Sequence, residues 1–416
     1  MTRILYTFLI SCISINFLSA QTIIDTISLG ASYADMAWYS LANGEEARAS
    51  KTDWHIAFTI QGFSASIQAN TAIGVEVYLY PEGDTASWST VDTAGMGGWT
   101  PYYNSTESWS RGAFSQGIDP NDDVDLGWGK YSFITHHVTG DSLFVLKMPD
   151  GQIQKLWLEK LAAGVYSFRH GNLDNTMDMS HSIAKADFEN KNFAYFNLTT
   201  HASSNPEPNS GDWDLLFTQY TEFVPTAYTV SGILQNAGVE AIRAHPVNDI
   251  EAYDEYYNHS FQSEIDVIGW DWKNFSFQSG WSVEDSMVFF VKAKDETIWK
   301  LVLTEFGGSA NGNFYLSKTQ LTATSVEEDF APFFNVFPNP MTGQQLNFVV
   351  DLPQFEPSAA VSVLDLQGRT VYRETMALQS GMQQYSLALP SLSSGVYVLQ
   401  IDFGNNQRLH KRIVKR

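Results

Sequence analysis

Residues 53–58 read Asp-Trp-His-Ile-Ala-Phe and residues 212–217 read Asp-Trp-Asp-Leu-Leu-Phe, so the chain contains two similar stretches 159 residues apart. Each follows an aromatic segment, Ala-Trp-Tyr-Ser-Leu at 37–41 and Ala-Tyr-Phe-Asn-Leu at 194–198. Aromatic-rich segments of this length, broken by Gly, Asn, Asp and Ser, are typical of β-strands. Because the segments keep the same order in both halves, the chain contains an internal duplication.

A β-hairpin is predicted in each half. In the first half, apolar runs at 141–147 and 154–158 flank a turn at 149–151 that reads Pro-Asp-Gly, and Asp-Gly favours a tight hairpin turn. Its counterpart in the second half joins 285–291 to 298–303. The repeating unit is too long for a solenoid repeat, so we predict a duplicated β domain.

The C-terminal segments carry a separate pattern. They read Phe-Asn-Val-Phe-Pro-Asn-Pro at 334–340, Val-Ser-Val-Leu-Asp-Leu-Gln-Gly-Arg at 361–369 and Leu-Ser-Ser-Gly-Val-Tyr-Val-Leu-Gln at 392–400. In this order they resemble the type A C-terminal sorting domain of the type IX secretion system, which exports proteins across the outer membrane of Bacteroidota. The resemblance implies a small Ig-like β-sandwich, contact with the secretion and sorting machinery, and attachment to surface lipopolysaccharide.

The N-terminus has the pattern of a secretory signal peptide, predicted at 1–20. Arg3 precedes a largely apolar stretch at 4–18, and small residues follow at 19–20. An alternative is a lipobox that would lipidate Cys12. Cleavage after residue 20 would leave no cysteine, which excludes disulfides, thiol catalysis and cysteine-ligated metals.

The charge of the chain excludes one class of partner. It has 46 acidic residues against 24 basic ones, a formal net charge of -22. Such a charge repels phosphate backbones, so we expect no binding to nucleic acid.

The duplicated region resembles the HmuY-like family of secreted all-β proteins of Bacteroidota, several of which bind haem at the cell surface. The resemblance rests on the aromatic segments, the Asp-Trp motifs, the hairpins, and closing strands at 164–168 and 312–316. It implies two tandem HmuY-like modules and a haem cofactor held by a pair of axial side chains.

Haem ligands are sought among the histidines of the first half. His136 and His137 precede its hairpin and His170 follows its closing strand, so these three are our candidate haem ligands. His181 lies nearby in the sequence, whereas His201 and the other histidines of the second half align with none of these. We predict no other metal site.

Other chemistry has weaker support. The acidic stretch 119–125 begins like an EF-hand loop, but Val124 and Lys130 stand where Gly and Glu are needed, which leaves only a looser calcium site as an alternative. The sequence has no G-x-S-x-G, H-E-x-x-H or Gly-rich phosphate motif. The spacing of its acidic residues does not exclude a carboxylate pair for glycoside hydrolysis, but no motif singles out such a pair. We therefore expect no catalytic activity.

Exposed aromatic residues offer an alternative to haem. Trp88, Trp99, Trp109 and Trp128 lie in a loop-rich stretch and could stack on sugar rings. The chain would then be a surface adhesin or carbohydrate-binding protein that keeps the HmuY-like fold without haem.

The sequence therefore predicts an all-β, non-enzymatic binding protein that passes through the periplasm and is displayed on the outer cell surface. Its predicted parts are a signal peptide at 1–20, β modules at 21–182 and 183–324, a linker at 325–334 and a sorting domain at 335–416.

Overall fold

The computed structural model describes residues 22–62, 64–321, 334–352, 355–365, 368–403 and 408–416. The chain divides into two compact units, Met1–Ala323 and Thr324–Arg416. The predicted signal peptide lies outside the described residues, and so does the predicted linker apart from Phe334.

The first unit is built almost entirely of short antiparallel strands. In chain order they are β1 (Thr22–Ser28), β2 (Asp35–Ser40), β3 (Gly44–Ser50), β4 (Ile56–Thr59), β5 (Ile67–Ala69), β6 (Glu76–Leu79), β7 (Pro101–Tyr102), β8 (Gly129–Ser132), β9 (His137–Gly140), β10 (Leu143–Lys147), β11 (Ile153–Ala162), β12 (Val165–Asn172), β13 (Asp178–Ala184), β14 (Phe193–Asn197), β15 (Ala202–Ser204), β16 (Leu215–Phe223), β17 (Ala227–Gln235), β18 (Glu240–Ala244), β19 (Lys273–Ser276), β20 (Gly280–Val283), β21 (Val288–Lys292), β22 (Ile298–Phe306) and β23 (Asn313–Gln320).

The helical segments among the described residues are short 3-10 helices. They are Ala31–Tyr33, Lys51–Asp53, Thr71–Ile73, Thr85–Thr90, Met96–Gly98, Ala113–Ser115, Lys185–Phe188, Tyr256–Asn258 and Gly308–Ala310. The prediction of an all-β fold is confirmed. None of the helices described is long and apolar enough to span a membrane.

Two sheets of the first unit have the same strand order. One runs β1-β23-β22-β21-β18, and the other runs β13-β12-β11-β10-β6 before continuing to β7. The pairing of β11 with β12 shifts register between Leu158 and Lys160, and that of β22 with β23 shifts between Leu303 and Glu305. The shared irregularity indicates that the two sheets are copies of one unit. Both predicted hairpins are present, as β10–β11 and β21–β22.

The two halves of the duplication exchange their first strands. β1 pairs with β23, β2 pairs with β16, and β14 pairs with β4. The exchanged registers are equivalent, since Phe217 lies opposite Ala37 just as Phe58 lies opposite Ala194. Each aromatic segment therefore completes a sheet of the other half.

The strand exchange groups the chain into two bodies that differ from the predicted ranges 21–182 and 183–324. Module A contains the strands between residues 56 and 204, and module B combines those of 22–50 with those of 215–320. The predicted boundary falls inside β13, which pairs with β12 along its whole length. Sequence similarity locates the repeats, but it does not show which copy of a strand each sheet takes.

Each module has its own hydrophobic core. Trp128 and Phe58 are fully buried in module A, and Trp272 and Phe217 are buried to the same degree in module B. A further cluster containing Trp38, from β2, lies between the two modules. The contact between modules is therefore itself aromatic and buried.

The C-terminal unit has two antiparallel sheets around one core. Its strands are β24 (Phe334–Phe337), β25 (Gln345–Leu352), β26 (Glu356–Asp365), β27 (Thr370–Leu378), β28 (Gly381–Ala388), β29 (Gly395–Asp402) and β30 (Arg408–Lys415). The sheets run β24-β25-β28 and β27-β26-β29-β30, and Phe348 of the first packs in the same core as Val363 and Leu399 of the second. Asn339 in the Pro-Asn-Pro turn joins them, because its Oδ1 accepts a 2.8 Å hydrogen bond from the Val414 N–H.

Candidate functional site

The strand exchange creates a cleft between module A and module B with a cavity of about 80 Å³. We call it the aromatic cleft. Its aromatic lining comprises Trp38, Trp54, Trp109, Phe193, Tyr195, Trp213 and Tyr220. Its neutral polar lining comprises Gln68, Asn70, Thr71, Asn104, Ser105, Thr106, Thr218, Gln219 and Thr221.

The rings of the aromatic cleft hold one another in place. Tyr195 contacts Trp54 edge-on at a centroid distance of 5.3 Å and Trp38 at 6.3 Å, and Trp109 contacts Phe193 at 5.5 Å. Edge-to-face contacts at these distances stabilise aromatic clusters. Trp38 and Tyr195 occupy equivalent positions in the duplication, so the cleft was formed where the two copies meet.

Polar side chains brace the wall of the cleft. The Asn104 Oδ1 accepts hydrogen bonds from the backbone N–H groups of Ala69 and Ala113, both at 3.0 Å. The Gln68 Nε2 donates to the Trp109 carbonyl at 2.9 Å. These bonds satisfy loop backbone groups and fix the position of this wall.

Several buried donors in the cleft lack an acceptor among the described residues. They include the indole Nε1 atoms of Trp38 and Trp54 and the hydroxyl of Tyr220. An unsatisfied buried donor costs about 1–3 kcal/mol. A ligand or water that accepts these hydrogen bonds would recover that free energy.

The described residues that line the cleft include no charged side chain and no histidine, although the chain has a net charge of -22. Glu207 is a buried acid bonded to this lining, because its Oε2 accepts from the Tyr195 hydroxyl at 3.3 Å. Burial raises the pKa of Glu207 to about 7, against the opposing effect of its hydrogen bonds. The cleft therefore suits a neutral ligand.

The four tryptophans that we proposed as a sugar platform do not form one surface. Trp109 lines the cleft, whereas Trp88 and Trp99 share a separate hydrophobic cluster with Tyr78 and Tyr80. Trp88 is buried and donates to Asp178, and Trp128 is buried and donates to the Ala65 carbonyl at 2.9 Å. Core packing therefore accounts for Trp88 and Trp128.

The structure separates the three histidines predicted as haem ligands. His136 is exposed, with its Nδ1 2.8 Å from the Tyr131 hydroxyl. His137 adjoins Val138, which lies opposite Leu161 on β11, whereas His170 lies opposite Leu156 on the same strand. Five residues of a strand span roughly 16 Å. Two axial ligands of one iron lie far closer together, so this geometry gives no support to haem binding by these histidines.

His170 instead belongs to a group that we call the histidine cluster, His170, His181 and His201. The His170 Nε2 lies 3.1 Å from the His181 Nε2 and 3.3 Å from the His201 Nδ1. His170 is fully buried, while His181 and His201 are partly exposed. Burial, followed by the neighbouring His181 and His201, lowers the pKa of His170 to about 4, and burial also lowers the pKa of His181.

The histidine cluster depends on the strand exchange. His181 lies opposite Phe168, two residues before His170 on β12, so the two histidines share one face of the sheet. His201 follows β14, which joins this module by pairing with β4. Sequence analysis placed His201 in the other half, and no local pattern indicates that its strand crosses over.

Comparison with known proteins identifies the C-terminal unit. Residues 335–416 match the family model of the secretion system C-terminal sorting domain. This tail directs secretion to the cell surface through the type IX system, implies attachment there, and requires contact with the secretion machinery. The predicted sorting domain is confirmed, whereas the resemblance to the HmuY-like family stays a prediction.

Similarity elsewhere in the chain is weak. The crystal structure of dimeric latent PorU from Porphyromonas gingivalis aligns with a TM-score of 0.18 and 10% sequence identity. The alignment covers 82% of this chain and 34% of PorU, so this chain spans about a third of that protein. Similarity at this level carries no argument about fold or function. No curated protein matches the chain.

Proposed function

We propose that this protein is a non-enzymatic surface protein that binds a neutral carbohydrate in the aromatic cleft. The observation that carries the proposal is the composition of the cleft, which combines aromatic rings and unpaired N–H and O–H donors without any charged lining residue. The sorting tail supplies the location.

A sugar ring fits each of these features. Its C–H faces pack on aromatic rings, and its hydroxyl oxygens accept hydrogen bonds from donors such as the indole N–H groups of Trp38 and Trp54. The cavity of about 80 Å³ is smaller than the roughly 150 Å³ cavity that holds one benzene ring, so the cleft would enclose part of a sugar ring and leave the rest in solvent.

The same lining argues against catalysis in the cleft. A glycosidase places two carboxylates on either side of the bond that it cleaves, and in the described part of the chain no Asp or Glu lines this cavity. Haem needs axial ligands, and the described residues that line the cleft include no histidine.

The proposal also includes two predictions made from the sequence. The modules keep an HmuY-like fold without haem, and the sorting tail leads to attachment of the protein to surface lipopolysaccharide. A strong Soret band after addition of haemin to the full chain would favour haem over sugar.

Tryptophan fluorescence and a glycan array test the proposal. We expect the full chain to bind a subset of neutral glycans, with a change in tryptophan emission on titration. Trp54→Ala removes a half-buried wall of the cleft and should abolish both signals, whereas Trp281→Ala, a partly exposed tryptophan outside the cleft, should leave them unchanged. An array without signal, or equal binding by both variants, would refute the proposal.

A further inference from the structure

The histidine cluster has the spacing of a metal site. In a tetrahedral complex with metal–nitrogen bonds of 2.0–2.1 Å, neighbouring ligand nitrogens lie roughly 3.3 Å apart. The His170 Nε2 lies 3.1 Å from the His181 Nε2 and 3.3 Å from the His201 Nδ1. All three ring nitrogens lie within 4.8 Å of one another.

Hydrogen bonding alone does not account for this arrangement. A ring nitrogen has either one N–H or one lone pair in its plane, so the His170 Nε2 forms one good hydrogen bond but faces two nitrogens. The other ring nitrogen, Nδ1, lies 3.4 Å from the Oε1 of buried Gln154. A proton on Nδ1 leaves the Nε2 lone pair directed at the centre of the cluster, as a metal ligand requires.

We propose that His170, His181 and His201 bind a divalent transition-metal ion, with Zn²⁺ or Cu²⁺ favoured by the imidazole ligands. Gln154 orients His170 from behind. Because His181 and His201 are partly exposed, the fourth coordination position faces solvent. None of the three histidines lines the aromatic cleft, so the proposal is independent of sugar binding.

The duplication shows that the fold does not need these histidines. Leu156 lies opposite His170 in module A, and the equivalent Leu301 lies opposite Lys318 in module B. Phe168 lies opposite His181, and the equivalent Leu316 lies opposite Asp25. Module B thus has a lysine and an aspartate where module A has two histidines.

The backbone of His201 also fits a functional role. This residue has a positive φ of 57° in the turn between β14 and β15. Non-glycine residues in this region carry a conformational cost and persist where the surroundings fix them. The turn brings the Nδ1 atom within reach of His170 on a different strand.

Calorimetric titration of the EDTA-treated full chain with Zn²⁺ tests the proposal, together with electron paramagnetic resonance of the Cu²⁺ form. We expect one ion per chain and hyperfine coupling to imidazole nitrogens. His181→Ala and His201→Ala should each weaken binding by more than about 100-fold, and Gln154→Leu by about 10- to 100-fold. His259→Ala, which alters a histidine bonded to Tyr253, should bind as the wild type does.

A double variant guards against a folding artefact. His170→Lys combined with His181→Asp introduces the pair found at the equivalent positions of module B, so it should fold and lose the ion. Metal binding that survives in this variant or in His181→Ala would be adventitious and would overturn the proposal. Absence of binding to the wild type would overturn it as well.

Discussion

Glu207 is a buried acid whose ionisation should contribute to the pH dependence of stability. Its side chain accepts hydrogen bonds at 3.1 Å from the backbone N–H groups of Asn192 and Phe193, and its exposed fraction is 2%. Burial raises its pKa from 4.5 to about 7. These bonds favour the carboxylate, but they do not outweigh its loss of hydration.

The direction of the effect follows from proton binding in the folded and unfolded chains. Between pH 4.5 and 7 the folded chain keeps a proton on Glu207 that the unfolded chain has released, so the contribution of Glu207 to the free energy of unfolding falls as pH rises. The lowered pKa of His170 gives a contribution of opposite sign between about pH 4 and 6.5, so the effect of Glu207 is the difference between the wild type and a variant that lacks this acid. Glu207 makes its full contribution to stability below pH 4.5, its pKa in the unfolded chain, and loses it above about pH 7, its pKa in the folded chain. Because each tenfold change in proton affinity corresponds to about 1.4 kcal/mol, the loss amounts to about 3 kcal/mol.

Urea unfolding followed by tryptophan fluorescence measures this effect. All 12 tryptophans lie at or before residue 299, so the signal reports the first unit alone. Glu207→Gln should remove the pH-dependent loss and add a constant cost of about 1–3 kcal/mol, since its amide N–H₂ faces a backbone donor. Glu82→Gln changes an exposed glutamate and should leave the pH dependence intact. Equal slopes for the wild type and Glu207→Gln would refute the reasoning.

Two further outcomes test the fold and the tail. Gly140→Ala should destabilise the first unit by several kcal/mol, because the new Cβ would lie 1.7 Å from the Leu158 carbonyl oxygen. The control Gly211→Ala places its Cβ where no atom lies within 4 Å, so it should change the stability by less than about 1 kcal/mol. Equal urea unfolding midpoints for the two variants would contradict this prediction. Deletion of residues 335–416 should leave the protein in the periplasm, as cell fractionation would show, and undiminished surface display would contradict the role of the tail.

The candidate sites were only partly predictable. His170 was among the predicted ligands, but its partners were expected to be His136 and His137, which belong to the far end of the sheet. Residues 203–210 are all polar or proline, a composition typical of exposed loops, yet Glu207 within this stretch is buried. Hydrophobic patterning predicts strands well, but it does not reveal a polar residue buried by contacts between distant segments.

The sequence by itself determined the all-β class, the duplication, the two hairpins and the sorting tail, because turn chemistry, alternation and short motifs are local properties of the chain. The tertiary structure alone decided that β2 and β14 change partners between the halves. Both copies present nearly the same side chains in the same register, so local patterning fits pairing within a half and pairing across halves equally well. That choice of long-range partner created the aromatic cleft and brought His201 to His170.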